Sequence, residues 1–354
     1  MSRALHQFLT GATAGDAITD QALLIQHWLR EQGLESEIYA WHMHPSMERH
    51  IRPMGLYRRG RDEQGIYHHS IGSEVPDFLV EQGLELILIY HNITPPEFFA
   101  GSDPLRAHLA RLGIEQLQQL RPLTRLALAD SHYNETELRQ AGYARTAVLP
   151  ICLRAERYDT PADGHIVAGL ARPGPRLLFI GRLAPNKRQE DLVKLLACLR
   201  RARPDTHLYL LGDRWEIGYD TWVEQLAAEL DVAGGVTLLG KVSQKVMVTY
   251  LRAADCYVSM SEHEGFGVPL IESMYLGLPV VAYGAAAVPE TMADAGIVFY
   301  RKEYEHLAEL IDWLLSDEIW RRRLVERQHA RAAAFLEPEV RRQFIAHLAG
   351  EGLW

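Results

Sequence analysis

The chain of 354 residues holds only three cysteines, Cys152, Cys198 and Cys256, far apart and with no CxxC pair. Neither a disulfide framework nor a cysteine-built zinc site fits that usage. Positive charge is also short: 37 Lys and Arg stand against 46 Asp and Glu, a formal net charge of −9. The broad basic footprint of a general nucleic-acid binder is therefore missing, and no nucleic-acid partner is expected. The longest apolar runs, such as Leu86-Ile87-Leu88-Ile89, fall far below the roughly 18 residues of a membrane span. The Met1-Ser2-Arg3 start carries no signal-peptide core, so the chain is expected in the cytoplasm. Fixed-period repeats, low-complexity tracts and Asp-x-Asp pairs are absent from the sequence.

What is present is 47% hydrophobic content in a length suited to two domains of roughly 100–200 residues each. Short β-like runs alternate with longer helical patterns, the mark of βα units feeding a parallel sheet, so the fold class is α/β. Strands are expected at 4–9, 37–41, 66–70, 84–90, 125–129 and 146–149, with a helix at 17–31. Residues 150–175 carry Pro161, Gly164, Gly169, Pro173 and Gly174 without an apolar period and read as the linker. A second series follows, with strands at 176–180, 207–211, 236–239, 256–260, 279–282 and 297–299. The expected domains are 1–155 and 165–330, both doubly wound and Rossmann-like. The tail from 317 to 353 reads as wholly helical, and its last part, 331–354, is expected to cross back to the first domain. Ligands of such sheets bind outside the carboxyl ends of the strands, which makes an interdomain cleft the expected site.

The most informative segment is Ser261-Glu262-His263-Glu264-Gly265-Phe266-Gly267-Val268-Pro269-Leu270-Ile271-Glu272. It follows a strand, turns through two glycines and opens a helix in which Pro269 suits the first turn. Amides of Phe266, Gly267 and Val268 at a helix N-terminus suit a phosphate. Glu264 and Glu272 bracket that helix start, and a carboxylate accepts two hydroxyl hydrogen bonds at once, as a sugar diol requires. The second segment, Phe179-Ile180-Gly181-Arg182-Leu183-Ala184-Pro185-Asn186-Lys187-Arg188, nearly reads as a P-loop. Asn186 and Arg188 break that motif. Arg182 as a planar fork and Lys187 as a point charge can instead neutralise a diphosphate without a metal.

Gly181-Arg182 with Lys187, followed by Glu264 and Glu272, resembles the family 4 retaining glycosyltransferases of the GT-B fold. The similarity covers residues 176–300 well, including Gly212-Asp213 and the turn from Gly284 to Glu290, and is weaker in the first domain. The resemblance implies that Arg182 and Lys187 bind the donor diphosphate, that Glu272 holds the nucleotide ribose and that Glu264 meets the donor sugar. It places phosphate and sugar contacts at Gly265, Phe266, Gly267 and Val268, and the base near Lys241 and Val242. Two departures from the family pattern stand out. Pro150-Ile151-Cys152-Leu153 replaces its usual entry turn, and Arg188 replaces a common glycine after the lysine.

In the first domain Gly11-Ala12-Thr13-Ala14-Gly15-Asp16 is not GxGxxG, and the resemblance makes it the family's flexible glycine loop, with Gly15 on the donor. His91, at the end of a strong strand, resembles the family's active-site histidine. Asp130-Ser131-His132 ends a further strand and is held as cleft lining. The expected activity is hexosyl transfer from a nucleoside-diphosphate sugar to a carbohydrate or lipid-linked acceptor, with no cofactor and no metal. A GT-B sugar-nucleotide epimerase or phosphorylase, or an idle sugar-nucleotide-binding subunit, stays open. The basic stretches Arg321-Arg322-Arg323 to Arg341-Arg342 and Arg49, Arg52, Arg58, Arg59 and Arg61 leave open a peripheral membrane contact at the inner face or a phosphorylated acceptor.

Overall fold

The computed structural model describes residues 4–60, 64–214 and 218–352. Arg61, named above in the basic cluster, lies outside them, as do Met1-Ser2-Arg3 and Leu353. The chain divides into two compact units, Met1–Cys152 with Glu337–Trp354, and Leu153–Leu336.

The first unit carries strands β1 (Leu5–Ala12), β2 (Ile38–Met43), β3 (Arg52–Pro53), β4 (Gln64–His69), β5 (Glu85–Tyr90), β6 (Thr124–Ala129) and β7 (Thr146–Val148). Helices α1 (Ala17–Glu31), α2 (Val75–Gln82), α3 (Pro104–Leu120) and α4 (His132–Gln140) intervene. All strand pairs are parallel, in the order β3-β2-β1-β4-β5-β6-β7. A parallel sheet covered on both faces needs apolar side chains pointing both ways, and Leu86 to Ile89 are accordingly all buried. The two-residue strand β3 escaped the sequence reading. It holds a proline, which costs a ladder donor and confines it to the sheet edge.

The second unit contains α5 (Gly164–Leu170), β8 (Arg176–Ile180), α6 (Gln189–Ala202), β9 (His207–Leu211), α7 (Tyr219–Glu229), β10 (Val236–Gly240), α8 (Gln244–Ala253), β11 (Cys256–Ser259), α9 (Val268–Tyr275), β12 (Val280–Tyr283), α10 (Val288–Met292), β13 (Ile297–Phe299), α11 (Tyr304–Ser316) and α12 (Glu318–Ala333). Its strands are also parallel, in the order β10-β9-β8-β11-β12-β13. The order reverses between β8 and β11, so the loops leaving those two strands stand side by side at the carboxyl edge, the usual ligand position of such a sheet.

Residues 155–170, read from sequence as linker, are structured and belong to the second unit. Polar contacts hold them to α8: Thr249 Oγ1 accepts from the Asp163 amide at 2.9 Å, Lys245 pairs with Asp163 at 3.1 Å, and Arg157 donates to Gln244 at 2.8 Å. Such anchoring leaves no apolar period to read. The tail is not one helix either. After α12 the chain breaks, because the Phe335 carbonyl accepts from the Leu153 amide at 2.7 Å, and it restarts as α13 (Glu337–Gly350) with Pro338 in the first turn. Helix α13 packs in the first unit, where Phe344 and Trp28 are both fully buried with ring centroids 5.8 Å apart. Each such side chain contributes about 1.5–3 kcal/mol by burial.

Candidate active site

Three neighbouring strands of the second unit run out into glycine. Gly181 follows β8, Gly212 follows β9 and Gly240 ends β10. The Gly181 amide donates to Leu211 at 2.8 Å and the Gly212 amide to Gly240 at 3.0 Å. A Cβ on Gly212 would collide with the Gly181 carbonyl, so only glycine lets these backbones approach. The β8 loop then exposes Arg182, whose carbonyl accepts from Gln189 Nε2 at 2.9 Å, and winds through Pro185–Lys187 in one 3-10 turn.

Lys187 Nζ lies 2.6 Å from Glu264 Oε1, so the β8 and β11 loops meet through a direct ion pair. Their backbones are stitched as well: the Glu262 amide donates to the Asn186 carbonyl at 2.8 Å, and Asn186 Nδ2 to the His263 carbonyl at 3.4 Å. The Glu264 carbonyl accepts from Ala287 at 3.1 Å and the Phe266 carbonyl from Thr291 Oγ1 at 2.6 Å, which braces the loop from the α10 side. Gly267, at φ 88°, caps α9 with no side-chain partner; in the first turn Pro269 has no N–H and the Leu270 amide donates to the Gly267 carbonyl at 3.0 Å, which leaves the Val268 amide at the helix start. Within α9, Glu272 is buried and accepts from Tyr158 OH at 2.6 Å. Lys241 is exposed and Val242 half-buried just beyond β10, and Gly265 is half-buried between Glu264 and Phe266.

A second tier of charge backs this arrangement. Arg188, in the left-handed region at φ 53°, reaches Glu262 at 2.6 Å and Glu190 at 3.2 Å. Burial opposes its charge, but these two carboxylates outweigh burial and raise its pKa. Lys302 bridges Glu262 at 2.8 Å and Asp191 at 2.9 Å. Burial works against both carboxylates, yet their donors, Lys302 above all for Asp191 and Arg188 for Glu262, hold both below the ordinary range. His263 is buried beside the Lys187 cation; burial first and that charge second push it down to about 4. Sequence reasoning missed Glu262, Lys302, Asp191 and Tyr158. Only the family's glycine at the position of Arg188 held a signal, since a recurrent glycine there marks a positive φ.

The first unit places its expected residues differently. His91 sits at the end of β5 with its ring almost wholly covered, Nδ1 on Asp130 at 3.0 Å and Nε2 on His68 Nδ1 at 2.9 Å. Beyond it, His68 Nε2 meets Gln7 Oε1 at 2.9 Å, and Gln7 Nε2 donates to the Ala22 carbonyl at 2.9 Å. The chain of donors fixes the protons. Gln7 must present its oxygen, so His68 carries its proton on Nε2. Burial, followed by the His91 charge, lowers the His68 pKa well below the usual value, so His68 is neutral and accepts at Nδ1. His91 therefore donates from Nε2, and its Nδ1 faces the Asp130 carboxyl at 3.0 Å. Burial raises the Asp130 pKa against the opposing pull of His91. A ligand that takes His91 Nε2 has to displace His68. Gly15, at φ 81°, lies in an exposed turn tied by Asp16, whose carboxylate caps α1 through the Thr19 amide at 3.0 Å. Ser131 caps α4, and His132 pairs with Glu135 at 3.0 Å.

Much of the basic surface is engaged internally. Arg52 pairs with Glu37, Arg58 donates to the Gly55 and Tyr57 carbonyls, Arg322 pairs with Glu318, Arg341 with Glu31 and Arg342 with Glu339. Among the described residues no helix is long and apolar enough to cross a membrane.

Two doubly wound parallel sheets, the second with a glycine-edged switch point, give the chain the GT-B fold. Residues 167–331 match the family described as glycosyl transferases group 1. A GDP-mannose-dependent monoacylated alpha-(1-6)-phosphatidylinositol monomannoside mannosyltransferase of Corynebacterium glutamicum is 30% identical over 49% of this chain and 48% of its own length. The O-antigen chain mannosyltransferase B of Escherichia coli is 32% identical over 45% of this chain and 41% of its own. The chain thus matches about half the length of these curated relatives or less. Among solved structures, Anabaena HepE in complex with UDP and glucose superposes with a TM-score of 0.76 at 19% identity, covering 97% of this chain and 99% of that one, a likeness of fold.

Proposed function

We propose that the protein is a metal-independent, retaining glycosyltransferase that moves a hexose-type sugar from a nucleoside diphosphate to an acceptor hydroxyl on a glycan, a lipid-linked saccharide or a small molecule. The observation that carries this reading is the meeting of Lys187, Glu264 and the α9 N-terminus where the β8 and β11 loops adjoin. A diphosphate there faces Lys187, Arg182 and the amides of Phe266 to Val268. As the glycosidic bond breaks, the leaving phosphate gains charge, so these donors stabilise the transition state more than the ground state. Glu264 meets the migrating sugar and Glu272 the ribose. The base lies beside Lys241 and Val242, and Gly181 lets the backbone approach the diphosphate. From the first unit, His91 and Gly15 are assigned by the family resemblance. Metal independence rests on the two cations assigned to the diphosphate. Retention follows the family pattern of Glu264 and Glu272, with the departing phosphate taking the acceptor proton on one face.

The test is turnover of UDP-, GDP-, ADP- and dTDP-hexoses in EDTA, followed by NMR of the fresh product. Release of nucleoside diphosphate with the donor's anomeric configuration kept is expected. Dependence on added manganese or magnesium, an inverted product, or an altered sugar still attached to its nucleotide would contradict it.

A further inference from the structure

Lys187 and Glu264 are bound to each other, and this has a consequence for which ligand the site prefers. Their 2.6 Å contact joins two side chains that are both mostly sheltered from water, at 14% and 17% exposure, so solvent screens the pair only partly. Two cations of the neighbouring loops are committed elsewhere: Arg188 to Glu262 and Glu190, Lys302 to Glu262 and Asp191. Neither stands ready to replace Lys187 beside Glu264. Any anion that takes Lys187 therefore does so next to a carboxylate that loses its counter-charge, and two like charges at close range repel.

A nucleoside diphosphate and its sugar derivative differ on this point. The free diphosphate brings one more negative charge and no hydroxyl donor to Glu264. The sugar nucleotide replaces that terminal charge with a hexose whose hydroxyls can donate to the carboxylate, which keeps Glu264 satisfied after Lys187 turns to the phosphates. We propose that the Lys187–Glu264 ion pair makes the site select an intact sugar nucleotide over the nucleoside diphosphate left after transfer. It does so by setting an unpaired carboxylate against the latter. Such discrimination works through repulsion of the wrong ligand as well as attraction of the right one, and it favours departure of the spent nucleotide. The inference rests on the reading that Lys187 binds the donor diphosphate.

Calorimetric titration separates the two claims. The ligands are UDP, GDP, ADP and dTDP, each beside its glucose or mannose derivative without acceptor. The proteins are the wild type, Glu264→Gln, Glu264→Ala and Lys187→Ala. Two Glu264 variants are used so that a folding defect in one leaves the other to report. With the carboxylate removed, the diphosphate that the wild type binds should bind about tenfold tighter or more, and the preference for the sugar nucleotide should shrink by a similar factor. Unchanged or weaker diphosphate binding in both Glu264 variants, with Lys187→Ala still weakening it, would overturn the inference and leave the donor reading standing. Diphosphate binding that Lys187→Ala does not change would overturn that reading, and the inference with it. A diphosphate bound by none of the four proteins overturns both.

Discussion

The two units share one architecture and tie their strands together with different materials. In the first, β1, β4 and β5 are tied by buried hydrogen-bonding side chains: Gln7, His68 and His91, which closes on Asp130 at 3.0 Å, and, alongside, His69 on the Gly113 carbonyl at 2.8 Å. In the second, the carboxyl edge is tied by formal charge, Lys187 with Glu264, Arg188 with Glu262, Lys302 with Asp191. A buried hydrogen-bonded network fixes shape, because each member has one satisfied arrangement. An ion pair in partial contact with water can exchange a partner for a ligand of the same sign. On the proposed function, charge recognition falls to the second unit and rigid shape to the first.

The largest effect should come from the charged edge. Lys187→Ala should weaken nucleoside diphosphate binding about ten- to hundredfold, given roughly 1.5–3 kcal/mol for a hydrogen bond to a charged group. His91→Ala, in the buried network of the first unit, should leave that affinity unchanged and reduce turnover. Calorimetry and initial rates on both variants check the contrast, and equal loss of diphosphate affinity in the two would break it.

Glu272→Gln comes next. It removes a charged acceptor from a non-reacting part of the donor, so donor KM should rise while kcat holds, by roughly two- to tenfold for one weakened hydrogen bond. Tyr158→Phe should shift donor KM within the same range, since Tyr158 OH occupies one Glu272 oxygen at 2.6 Å. Steady-state kinetics with varied donor reads both.

A smaller effect concerns acid. His263 is held down to about 4 from an ordinary 6.5. Between those values the unfolded chain takes up a proton that the folded ring refuses, so stability falls as pH drops from 6.5 toward 4 and the loss is complete below. Thermal melts of His263→Gln across that window should show a shallower decline than the wild type.

The smallest shift is expected for Arg188→Gly. Glycine relieves about 1–2 kcal/mol of left-handed strain and forfeits partly exposed ion pairs worth about 0.2–1 kcal/mol each. The melting temperature should accordingly stay within about 4 °C of the wild type. A drop well beyond that would mean that the contacts to Glu262 and Glu190 matter more than their exposure suggests.

Apart from the edge strand β3, the strands of both sheets were readable because buried parallel strands leave dense apolar runs, as at Leu86 to Ile89. Lys187 and Glu264 stand out in the sequence because their loops carry glycine-rich motifs next to a strand end, and Glu272 because it lies about one turn into the helix that follows. What escaped depends on distant pairing. Nothing local marks Tyr158 as a partner of Glu272, or Lys302 as the bridge between Glu262 and Asp191, since each contact spans 40 positions or more in sequence. Residues 155–170 were misread for a related reason: they are held by side-chain hydrogen bonds to α8 rather than by an apolar face.

Hydrogen exchange with and without each of UDP, GDP, ADP and dTDP tests most directly that the charged edge of the second unit is the nucleotide site. At least one of the four should slow exchange at the amides of 181–188 and 262–272 in the wild type, and should lose most of that protection in Lys187→Ala. Protection confined to other segments, or none at all with any of the four, would contradict the assignment.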